Sequence, residues 1–104
     1  MADTTTDPKF FERADAHINL SNEQLSDVSR GKASASMMYA TARFNAWVSA
    51  CGFDTAGDMA RAKGETLEYF VTEYRKMLEE NLDDYIKSFD EYMKTKKASG
   101  GNDV

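Results

Sequence analysis

Three observations predict an all-α fold. Apolar residues recur at steps of three and four through most of the chain, no stretch alternates apolar and polar residues for long enough to make a convincing strand, and cap residues and glycines cut the pattern into three segments. The architecture expected is a helical hairpin packed on a long third helix, in the manner of a three-helix bundle. The 104 residues, 41% hydrophobic and 30% charged, suit one small domain, and folding at this length hides roughly 65% of the surface of the extended chain. The domain is expected over residues 8–95. The ends, 1–7 and 96–104, are small, polar and glycine-containing and are expected to be disordered.

The first helix is expected to open at Asp7 and Pro8, because a carboxylate accepts the free amides of a first turn and proline lacks the N–H that a helix start leaves unused. Phe11, Ala14, Ile18, Ser21, Leu25 and Val28 then gather on one face, and the helix is expected to end near Ser29. Ser29-Arg30-Gly31-Lys32 reads as the turn of an antiparallel pair, with Gly31 supplying backbone freedom.

From Ala33 to Cys51 nearly every side chain is small or apolar, Phe44 and Trp47 among them. Such a segment reads as a central helix enclosed by its neighbours. Gly52 and Phe53 supply a stop of the Schellman type. Thr55 with Asp58 resembles a capping box and opens the third helix. Ala60, Gly64, Leu67, Val71, Tyr74, Leu78, Leu82, Tyr85, Phe89 and Tyr92 follow without a change of phase. A continuous helix of that extent is close to 60 Å long, against a diameter of about 33 Å for a compact domain of this size. Either a kink at Gly64 or a partner over the overhang is required.

Phe11-Glu12-Arg13-Ala14-Asp15, the segment Ser29 to Ser36 leading into Met38-Tyr39-Ala40 and Ala42-Arg43-Phe44-Asn45-Ala46, and Glu68-Tyr69-Phe70-Val71 with Tyr74 to Tyr85 carry a family resemblance. In order and over roughly residues 10–90, they resemble the small proteobacterial family catalogued as domain of unknown function 3144. The resemblance implies a bacterial source and a size class, and no activity, cofactor or catalytic residue. Gly57 and Gly64 stand where that family would carry better helix formers.

Composition excludes several functions. Thirteen basic against eighteen acidic residues leave a net charge of -5, which disfavours nucleic acid. No run approaches the ~20 apolar residues of a membrane span, and the one cysteine permits no internal disulfide, so the cytoplasm is expected. The lone His17 cannot supply two Glu-x-x-His pairs or a histidine-rich zinc site, and no metal or cofactor is expected. Cys51 sits at a helix end whose partial negative charge opposes a thiolate, so a buried structural thiol is the plainer reading.

Two surfaces are left as candidates. Arg30, Lys32, Ser34 and Ser36, with Arg43, form a candidate anion site at the start of the second helix, without any phosphate-loop glycine pattern. Leu78, Leu82, Tyr85, Phe89 and Tyr92 form a candidate interface where the third helix outruns the other two. Antiparallel pairing of two copies there is expected to set Glu79, Glu80, Asp83 and Asp84 against Lys94, Lys96 and Lys97. The expected function is an interaction or oligomerisation module, binding itself or another protein. An anion-binding regulatory module is the alternative, and an enzyme completed at a subunit interface the third reading.

Overall fold

A computed structural model describes residues 7–94, which contain five α-helices and no strand. The fold is all-α. The expected tails lie outside the described residues, apart from Asp7. The chain divides near Ser49 into two compact units.

The first unit holds α1 (Phe10–Gln24) and α2 (Arg30–Ala50). α1 opens two residues later than expected, with Lys9 and not Asp7 at its N-cap and no side-chain cap bond; Asp7 shapes the turn before it, its Oδ1 accepting the Lys9 amide at 3.0 Å and its carbonyl the Phe10 amide at 3.0 Å. Its carboxylate also takes both terminal nitrogens of the Arg13 guanidinium, at 3.2 and 2.7 Å. That guanidinium, then the Lys9 amide, holds the Asp7 carboxyl below the usual carboxylate range. The folded value lies below the unfolded one, so the contribution is present above the unfolded value, about 3.9, and is lost as pH falls through the folded value. Acidification below about pH 4 should therefore fray the start of α1, read as lower protection of the Phe10 and Arg13 amides relative to their intrinsic exchange rates at each pH, while that protection should not change between pH 6 and 8.

The helix ends earlier than its apolar pattern, at Gln24 rather than near Ser29. The Leu25 and Asp27 amides bond three residues back, at 3.1 and 3.0 Å, which tightens the last turn, and the Ser26 hydroxyl donates to the Glu23 carbonyl at 3.2 Å. The connection to the next helix falls there, without glycine. Ser29 then starts the next helix, its Oγ accepting the Lys32 amide at 3.3 Å and its carbonyl the Ala33 amide at 3.1 Å. Arg30, Gly31 and Lys32 are the first turn of α2, not the expected loop.

The enclosure expected of the second helix is not found. Ala33, 4% exposed, is the one buried residue among those described, whereas Phe44 and Trp47 are 62% and 61% exposed, their rings 5.7 Å apart. A helix apolar on most faces needs neighbours on most faces, and its own unit supplies only α1.

The second unit holds α3 (Ala56–Arg61), α4 (Lys63–Lys87) and α5 (Phe89–Tyr92). Thr55 caps α3 as expected, its Oγ1 accepting the Asp58 amide at 3.1 Å, and the Asp58 carboxylate turns to pair with Arg61. The expected single helix is interrupted at Ala62 (φ -92°, ψ 0°) and Ser88 (φ -116°, ψ 32°). The Ala62 amide is shared between the Asp58 and Met59 carbonyls, a bifurcated bond that narrows the end of α3.

Gly64 is not the kink: it lies inside α4, and nothing is within 4 Å of where a Cβ would stand. Gly64→Ala should therefore stabilise the protein by about 0.5–1 kcal/mol, the helix-interior difference between the two residues. Urea titration checks this, and a loss of stability would mean that the break extends to Gly64.

Candidate functional site

α4 carries a long row of exposed apolar side chains. At about 100° per residue, Leu67, Val71, Tyr74, Leu78, Leu82 and Tyr85 fall within a narrow sector of its circumference. Phe89 and Tyr92 continue the stripe onto α5. All eight side chains are between 42% and 59% exposed. The first half of the third helix was expected to be covered, yet Leu67, Val71 and Tyr74 are as open as the five residues of the candidate interface. Sequence periodicity located this face and underestimated its free length, because periodicity shows which residues share a side and not what lies against them.

The bend at Ser88 is held from the α5 side. The Tyr92 hydroxyl donates to Asp84 Oδ2 at 2.8 Å, and the Tyr85 and Tyr92 rings lie 4.4 Å apart at 32°. The carboxylate acceptor, first by that hydrogen bond and then by its charge, raises the Tyr92 phenol above its ordinary value. Tyr85 and Tyr92 thus arrive at the surface as a preformed aromatic pair. Asn81, in the middle of the stripe, has its Nδ2 donating to the Met77 carbonyl at 2.8 Å, which satisfies one of its donors within its own helix.

Glu79, Glu80, Asp83 and Asp84 are centred roughly 170° from the stripe by helical rotation. They occupy the opposite side of α4, so contact through the stripe does not bring a partner's lysines to them. Lys94 pairs with Glu91 of its own chain at 3.6 Å. Lys96 and Lys97, the rest of the expected basic end, lie outside the described residues.

The candidate anion residues are divided. Lys32 and Ser36 line an open groove with Gln24, Asp27, Val28 and Ala35, where the end of α1 faces the start of α2. The Asp27 carboxylate shares that groove and offsets the lysine. Arg43 lies eleven residues beyond Lys32, about 16 Å along α2, so it does not join Lys32 at one small anion. Arg30 and Ser34 belong to the same helix and are not among the groove residues.

Cys51, expected as a buried thiol, is exposed, because α2 ends at Ala50 and the thiol falls in the turn beyond it. His17 is exposed on α1. Cys51→Ser should change stability by less than about 0.5 kcal/mol, as at other open surface positions. The wild-type thiol should react with Ellman's reagent at the rate of a free peptide thiol, and slow reaction would show that it is covered.

Among the described residues no group of three or more His, Cys, Asp or Glu side chains could hold a metal ion, and no helix is long and apolar enough to cross a membrane. The class defined by fold and surface is a small all-helical protein with unusually open apolar helix faces. The chain belongs to the family described as Protein of unknown function (DUF3144), whose model matches residues 10–86. It is similar to a solved NMR structure, that of the protein NB7890A from Shewanella sp, with 38% sequence identity and a TM-score of 0.71 over 86% of this chain and 96% of that one. No curated protein matches.

Proposed function

We propose that the protein is an interaction and oligomerisation module acting through the C-terminal half of its third helical segment. The observation that carries this reading is the exposure of Leu78, Leu82, Tyr85, Phe89 and Tyr92 as one face. Soluble monomers rarely leave contiguous apolar patches of more than a few hundred Å² open, and a row of five large side chains, three on α4 and two on α5, exceeds that. The role is non-enzymatic. His17 and Cys51, the residues an enzyme reading would call on, are both exposed, His17 on α1 and Cys51 beyond the end of α2. An exposed single thiol suits a reducing cytoplasm, and the Shewanella relative fits a bacterial source.

Light scattering coupled to size-exclusion chromatography at micromolar concentration and moderate salt tests the reading. A mass above one chain supports it. A mass of 11.7 kDa for the purified protein, with no second component recovered on affinity capture from its own cells, overturns it.

A further inference from the structure

We infer that the occupant of the α4–α5 stripe is a second copy of this chain, lying antiparallel and engaging the whole stripe from Leu67 to Tyr92. This rests on the interaction reading above and commits it to one partner, one orientation and one register.

Area supplies the first argument. The eight stripe side chains are each about half exposed. With free areas of roughly 200 Å² apiece, they offer on the order of 800 Å² per chain, which is what one side of a standard protein interface buries. The C-terminal half alone falls short of that figure. The stripe reaches it only when Leu67, Val71 and Tyr74 are included.

Periodicity supplies the second. Positions 67, 71, 74, 78, 81, 85, 88 and 92 alternate steps of four and three, a seven-residue repeat suited to a second helix alongside. Two of these positions, 81 and 88, are polar, and the stripe's Leu82 and Phe89 stand one residue beyond them, flanking the seam. Asn81 already donates to its own backbone, and Ser88 is the bend that carries Tyr92 back over Tyr85.

Charge favours one orientation, acting at long range and partly screened because Glu79, Glu80, Asp83 and Asp84 lie away from the contact. Residues 63–78 carry Lys63, Arg75 and Lys76 against Glu65, Glu68 and Glu73, a net charge of zero. Residues 79–94 carry six carboxylates against Lys87 and Lys94, a net charge of -4. A parallel pair sets -4 beside -4 along half its length. An antiparallel pair sets each acidic half beside a neutral half and also opposes the helix dipoles. Matching the repeat in that orientation puts Tyr74 opposite Tyr85 of the second copy, Leu67 opposite its Tyr92, and Leu78 opposite its Asn81 near the two-fold axis.

The test is disulfide trapping in full-length protein carrying Cys51→Ser. Tyr74→Cys and Tyr85→Cys variants are oxidised separately and as a mixture, because only cysteines whose Cα atoms approach within about 7 Å can join. The expected result is a covalent dimer in the mixture and at most a trace with either variant alone. Leu67→Cys with Tyr92→Cys serves as the second pair if the first perturbs folding. Self-cross-linking of Tyr74→Cys overturns the antiparallel register while leaving the oligomerisation reading intact. A dimeric mass without cross-links from either pair places the interface elsewhere and overturns this inference, and a monomeric wild-type mass at micromolar concentration overturns both.

Discussion

Leu82→Asp and Phe89→Asp, each introduced alone, should weaken self-association by roughly 30- to 1000-fold, corresponding to ~2–4 kcal/mol for placing an unpaired carboxylate within an apolar interface. At micromolar concentration that change carries a dimer to monomer. Ile86→Asp is the informative control, because Ile86 is 73% exposed, more than any stripe residue, yet is rotated about 80° from the stripe's centre. If exposure alone governed association, all three substitutions would act alike. If the stripe is the contact, Ile86→Asp leaves the mass unchanged. The wild-type melting temperature should also rise with protein concentration, as it does when the associated state is the one stabilised, and should cease to do so in Leu82→Asp. Equal masses for wild type and both stripe variants would remove the support for this surface.

The same comparison shows how much of the protein was legible in its sequence. Local signals read well where they act through the backbone. Thr55 sits at the helix start that its side chain predicts and accepts a first-turn amide, whereas Asp7 holds the turn before α1 and leaves the N-cap position to Lys9. Glycine misled twice. Gly31 and Gly64 suggested a turn and a kink, but each is the second residue of a helix; of the four breaks, those at Leu25–Ser29, Ala62 and Ser88 hold no glycine, and only the one at Cys51–Thr55 holds the expected Gly52. The cost of a helical glycine is only about 1 kcal/mol, less than a capping serine together with the following helical bonds supplies.

Burial was the least legible property. The stripe on α4 was found by its period, yet the same reasoning enclosed Phe44 and Trp47, which are open, and covered Leu67 and Val71, which are open too. A periodic pattern records that a face is meant to be covered. It does not record whether the cover belongs to the same chain. Among the candidate site residues, the five of the interface stand on one face, whereas Lys32 and Arg43 are separated along α2 by a distance that any helix spacing gives and that charge type alone conceals.

Ala33→Leu should be the most destabilising conservative change in the first unit. Ala33 lies in the second turn of α2, 4% exposed, with its amide bonded to the Ser29 carbonyl at 3.1 Å, so its position is set by the cap that begins the helix. Three carbons added at so enclosed a position require its neighbours to move, at a cost of about 1–3 kcal/mol. Alanine and leucine have nearly equal helix propensities, so the loss reads packing and not helix formation. Ala42→Leu, at an exposed position of the same helix, should stay within about 0.5 kcal/mol of wild type. Urea titrations of the three proteins at one fixed concentration, so that association contributes equally, decide the matter. Matching midpoints for Ala33→Leu and Ala42→Leu would show that the first unit has no enclosed point at all, and that its helices are ordered by what they bind.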